Sequence, residues 1–85
     1  MDARELEAII ARRLPQWFQP GESFSGAEVF ALLTDEEHLA VTPDEVYDAL
    51  ERLADSEGSG LRRLRPRYTP RWARLYTLEA SQPGG

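Results

Sequence analysis

The segment TPDEVYDALERLADSEG, residues 42 to 58, leaves the backbone the least freedom. Thr42 has the character of a helix N-cap, Pro43 suits the first helical position, and Glu45 stands three residues on, where its side chain can answer the cap. Val46, Ala49, Leu50 and Leu53 then recur at helical intervals as a buried stripe, and Gly58 or Gly60 supplies the stop. A helix that starts this sharply and is apolar along one side must pack against other elements. The 85 residues give room for one small core. With no cysteine, neither disulfides nor thiolate metal sites can help to hold it.

Two further helices are predicted upstream. Asp2 and Glu5 have the spacing of a cap box, and Leu6, Ile9, Ile10 and Leu14 form a helical stripe over about 3 to 14, ended by Pro15. PQWFQPGE reads as a loop from which Trp17 and Phe18 cover the core, with a dimerisation anchor as the other reading of this aromatic pair. ESF is a candidate short strand. Ser25 and Glu28 cap a second helix over about 26 to 34, with Ala27, Val29, Phe30, Leu32 and Leu33 facing inward and TDEEH closing it.

From residue 60 the chain changes character. GLRRLRPRYTPRWARLYTLE alternates and contains a turn, as a β-hairpin does. With Tyr68 opposite Trp72, Leu64, Pro66, Tyr68, Trp72, Tyr76 and Leu78 share one face and Arg63, Arg65 and Arg67 the other. Pro66 cannot donate to a ladder, so its strand belongs at a sheet edge, and the proline-free WARLYTLE can be central. The expectation is one domain over 1 to 80 and a flexible tail over 81 to 85; the initial methionine and the PGG end suggest a complete short chain.

Charge divides along the same line. Residues 1 to 60 carry four arginines against fourteen acids, whereas residues 61 to 85 carry six arginines against Glu79 alone. The net charge is −5. All ten basic residues are arginine, which a GC-rich genome would also produce. Arg62, Arg63, Arg65, Arg67, Arg71 and Arg74 can fork onto phosphates or enter a narrow minor groove. They can equally pair with acids of the same chain, or guard a sheet edge against aggregation.

The candidate acids are Asp44, Asp48, Glu51 and Asp55, spaced by three and four on one face of the third helix, with Glu45 beside them and Arg52 as local compensation. Such a stripe is a solvated helix face, favoured near the N-terminus by the helix dipole, or a docking surface for a basic partner or another copy's hairpin. Tyr47 reads as an amphipathic residue at the rim of the core. Tyr68 and Trp72 either hold the hairpin together or stack on bases.

The order helix, short strand, helix, helix, hairpin, together with TPDEVYDALERLADSEGSGLRRL and the closing RLYTLE, resembles the winged helix-turn-helix superfamily, and PadR-like and Fur-like regulators within it. The shared pattern is V-Y-x-x-L-x-x-L, a glycine, and L-x-R. The resemblance implies an α+β fold of three helices and a small antiparallel sheet. It also implies a DNA-binding regulator, acting as a dimer on double-stranded DNA through its third helix and wing. GSG stands here where a single glycine is usual, and the third helix is acidic. The metal-binding half of Fur-like proteins is not expected, because the chain has one histidine and no cysteine. His38 reads as a solvent-exposed turn residue.

The alternative is a protein-interaction module, an adaptor or assembly subunit, using Asp44, Glu45, Asp48, Glu51, Asp55 and Trp72. No Ser/His/Asp set, metal cluster or glycine-rich phosphate loop is legible, so the expectation is a non-enzyme without a cofactor. No segment reaches the roughly 18 apolar residues of a membrane span, and the cytoplasm is the expected compartment.

Overall fold

The computed structural model describes residues 2 to 64 and 69 to 79. Three helices, α1 (Ala3–Trp17), α2 (Gly26–Glu36) and α3 (Pro43–Asp55), surround one face of a three-stranded antiparallel sheet of β1 (Ser23–Ser25), β2 (Leu61–Arg63) and β3 (Leu75–Leu78). The strand order is β1-β3-β2, so β3, within the proline-free WARLYTLE, is central as expected, while β2 ends at Arg63 and Pro66 lies outside the described residues. The layout is α+β and compatible with a winged-helix-like arrangement.

The start of α3 follows the sequence closely. Thr42 Oγ1 accepts from the Glu45 N–H at 3.2 Å and a Glu45 carboxylate oxygen accepts from the Thr42 N–H at 2.9 Å, a complete capping box before Pro43. Val46, Ala49 and Leu50 are buried, while Leu53 is only partly covered. The end differs from expectation. The helix stops at Asp55 with an extended Ser56, and two serines take over its last carbonyls: Ser56 Oγ donates to the Arg52 oxygen at 2.9 Å and Ser59 Oγ to that of Leu53 at 2.5 Å. Gly58 and Gly60, at φ 81° and 79°, turn the following loop and do not cap the helix.

Pro15 does not end α1, which continues through it to Trp17. A proline this close to a C-terminus removes a single donor, and the Phe18 N–H still closes the last turn on the Leu14 oxygen at 2.9 Å. The added turn makes Phe18 the cap residue and places it in the core, stacked on Phe24 at 4.3 Å between ring centroids. At the other end Asp2 caps the Arg4 N–H at 3.3 Å, in place of a box with Glu5. α2 runs into the acidic segment expected to close it, and Ala27 is exposed, leaving Val29 and Leu33 as its buried side chains beside the buried Gly26, with Phe30 and Leu32 half-buried.

Three helices converge on one core. Leu6, Ile10 and Leu14 of α1, Val29 and Leu33 of α2 and Val46, Ala49 and Leu50 of α3 meet Phe18, Phe24, Leu61 and Tyr76. Gly26 opens α2 where a Cβ would lie 2.7 Å from the Tyr47 ring, so glycine there lets α3 approach closely.

The largest correction concerns register. Leu61, Arg62 and Arg63 pair with Leu78, Thr77 and Tyr76, one residue away from the pairing expected from Tyr68 opposite Trp72. A one-residue slip exchanges the faces of one strand relative to the other. Arg63 therefore shares the core-facing side with Tyr76, and Leu64 points outward and is 50% exposed. Trp72 is not on a strand at all: it sits in a 3-10 turn over Arg71–Ala73 and is 64% exposed. Burial of Leu61 and Tyr76 beneath the helices sets this register, and that long-range contact outweighs the local aromatic pairing. Arg65, Pro66, Arg67, Tyr68 and the tail 81 to 85 lie outside the described residues.

Candidate functional site

α3 carries the acidic stripe on the side away from the apolar core, and the β2–β3 segment returns across that side. Because β3 is antiparallel to β2 and its register puts residues 63 and 76 opposite each other, both side chains reach the middle of α3. Their common partner is Glu51. Tyr76 Oη donates to Glu51 Oε2 at 2.5 Å, Arg63 Nε donates to the same oxygen at 3.1 Å, and Arg74 Nη1 lies 2.9 Å from Oε1. The side chains of Glu51, Arg63 and Arg74 are 19%, 16% and 14% exposed. This is a half-buried ionic knot, closed over by the hairpin.

Around the knot lie more open pairs. Arg63 Nη2 also donates to Asp55 Oδ1 at 3.0 Å, one helical turn beyond Glu51. One turn earlier, Arg71 donates to the Asp48 carboxylate and, at 3.2 Å, to the Asp44 carbonyl, with the Asp44 carboxylate 3.6 Å away. The Arg71 guanidinium sits 5.8 Å from the Tyr47 ring centroid, and Gly26 packs against the same ring. Arg74 is anchored to the hairpin itself through the Thr69 carbonyl at 2.9 Å.

Protonation follows from these contacts. Burial alone would push the Glu51 carboxyl up, but the Tyr76 hydroxyl and the Arg63 and Arg74 guanidinium groups together hold it below the ordinary carboxylate range. Burial, then the bond to Glu51, pushes the Tyr76 hydroxyl up. The hydrogen bond to Glu51 raises Arg63 further, against a weaker opposing effect of burial. Glu45 is held down by the Thr42 N–H and then the Thr42 hydroxyl. It is committed to the cap and does not join the ladder formed by the other four acids.

The candidate residues thus divide. Asp44, Asp48, Glu51 and Asp55 are brought together with Arg63, Arg71 and Arg74. Arg62 is not: it lies on the outer side of the sheet, 66% exposed, with Glu79 at 3.7 Å. Trp72 is exposed, in the 3-10 turn beside Arg71. Trp17 is half-buried with its indole Nε1 lacking a hydrogen-bond partner, and Arg13 lies 5.1 Å over its ring. His38 is exposed at φ 53°, and among the described residues no group of three His, Cys, Asp or Glu could hold a metal ion. No helix among them is long and apolar enough to cross a membrane.

Tyr76 is the participant that the sequence reading placed only on one face of the hairpin, with no role in the site. Its signal was an aromatic with a polar tip in the central strand, facing a helix with carboxylates at its middle. Compared with family models, with curated proteins and with solved structures, the chain matches none of them.

Proposed function

We propose that the chain is a small winged-helix DNA-binding regulator that grips the duplex backbone through its β2–β3 wing, with α3 lifted out of the major groove. The observation that carries this reading is the arginine row. Arg71, then Arg63 and Arg74, meet carboxylates at 44, 48, 51 and 55 along one helix face, so the wing presents guanidinium groups at intervals suited to a linear series of anions. Arg62 adds an exposed cation on the same strand, and Arg65 and Arg67 follow it in sequence. A row of this kind recognises backbone charge, not base edges, so binding is weakly sequence-selective unless a second copy fixes the spacing of two wings.

The test is titration into random-sequence duplex DNA at low and physiological salt, beside Arg62→Ala, Arg65→Ala, Arg67→Ala combined. Salt-sensitive binding with a slope of log affinity on log salt of roughly −3 to −5 is expected, flattening by about 3 in the variant. Absence of binding even at low salt overturns the reading.

One observation favours a second reading, a protein-interaction module. Among the described residues the exposed large hydrophobics are Leu64 and Trp72, both from the wing, and tryptophan and arginine are the residues that most often anchor protein interfaces. A chain silent toward DNA, with a surface tryptophan quenched on adding a protein partner, would fit this reading.

A further inference from the structure

We infer that the α3 carboxylates are an internal substitute for DNA phosphates, so that wing arginines are masked in the free protein and a duplex must displace Asp44, Asp48 and Asp55 to gain its full grip. The inference rests on the DNA reading and goes beyond it by naming a built-in competitor. Each masked arginine makes the contact that phosphate would otherwise make: Arg63 donates to Asp55 at 3.0 Å, and Arg71 donates to Asp48 and faces Asp44 at 3.6 Å.

The graded exposure of these acids matters. Asp44, Asp48 and Asp55 side chains are 81%, 55% and 52% exposed, whereas Glu51 is 19% exposed and bound three times over. The outer pairs stand in water, where salt and polyanions compete with them readily. The inner knot keeps the hairpin on the body while the rim exchanges partners. A duplex therefore meets a surface whose competent form is only partly populated, and its apparent affinity falls by that fraction. By reciprocity, DNA bound to the wing weakens the hold of α3 on the same arginines.

The deciding experiment compares duplex binding by the wild type, by Asp48→Asn with Asp55→Asn, and by Asp35→Asn with Glu36→Gln. The last pair removes the same charge from exposed residues at the end of α2. Fluorescence anisotropy with a labelled random duplex supplies the affinity, and thermal melting shows that each protein is folded. If α3 masks the wing, the α3 pair binds at least roughly 10-fold tighter, since it releases Arg71 from Asp48 and Arg63 from Asp55 for charge-assisted contacts with phosphate. Its salt slope steepens by about 2. Adding Arg71→Ala to it removes much of the gain.

An equal gain in the α2 pair would reduce the effect to net charge and overturn the masking. So would unchanged affinity in the α3 pair while the wild type binds. No binding by any of the three proteins overturns the DNA reading itself. Should Asp48→Asn with Asp55→Asn fail to fold, Asp44→Asn with Asp48→Asn releases Arg71 alone from both of its carboxylates, leaving only the Asp44 carbonyl, and carries the same comparison.

Discussion

The two long sides of α3 are held by different physics. Toward the core, Val46, Ala49 and Leu50 are completely enclosed by side chains from α1, α2 and the sheet. Toward the hairpin, the same helix is held by charge: one half-buried carboxylate with three donors, flanked by pairs open to water. Apolar burial is non-directional and is not weakened by charge screening, whereas the ionic side depends on protonation, on screening and on which anion is nearest. One helix can therefore keep its fold while the segment lying across it changes partners.

Breaking the apolar side has the largest expected effect. Leu50→Ala opens a cavity at a residue with no exposure and should cost about 2 to 5 kcal/mol, read by urea or thermal unfolding; a loss no larger than that of a surface residue would show that the helices do not pack as described. The centre of the ionic side comes next. Glu51→Gln removes the charge that the poorly exposed Arg63 and Arg74 guanidinium groups share, leaving Arg63 its bond to Asp55, and the expected loss is ~1 to 3 kcal/mol in the same assay.

Acid sharpens the comparison further. Because the folded Glu51 carboxyl titrates below its unfolded value, its contribution is present above about pH 4.3 and is lost as pH falls through the folded value. Denaturation curves from pH 6 to pH 3 should show wild-type stability falling over the lower part of that range, with a shallower fall in Glu51→Gln. Parallel curves would remove Glu51 from the explanation. At the rim, Asp48→Asn should change stability by only about 0 to 1 kcal/mol at low salt, and by less in 0.5 M salt, since the pair is screened. Gly26→Ala tests the contact between the sides: with the Tyr47 ring 2.7 Å from a new Cβ, the ring must move, and the near-UV signal of Tyr47 should change even where unfolding shifts by roughly 1 kcal/mol.

How legible each region was depends on the range of the interactions that define it. The cap box of α3 and the stripe of Val46, Ala49 and Leu50 depend on residues close in sequence, and the chain states them outright; the proline-free run that ends in β3 was likewise legible as a strand able to be central. The length of α1 was misread because Pro15 was weighed as a break, although near a helix end it costs a single bond. The hairpin register was misread for a different reason. Alternation marks a strand but fits two registers equally, and here the choice lies with Leu61 and Tyr76, which find their places only against helices many residues upstream. The single-residue shift moved Arg63 from the surface to the ionic knot. Of the candidate site, the acidic stripe and the arginine set were both readable as lists, and the contact between them was one of several readings. No local rule paired Arg63 with Glu51 and Asp55, or Arg71 with Asp48.

The position of β3 also bears on the order in which the chain acquires its structure during synthesis. Both outer strands bond to β3 and not to each other, and β3, at Leu75–Leu78, follows both of them in sequence. Until those residues leave the ribosome, β1 has no neighbour, Phe24 has no Tyr76 beside it, and the helices have only one another to cover. Neither ladder can form before β3 is made, so a stop codon anywhere before residue 75 removes both together.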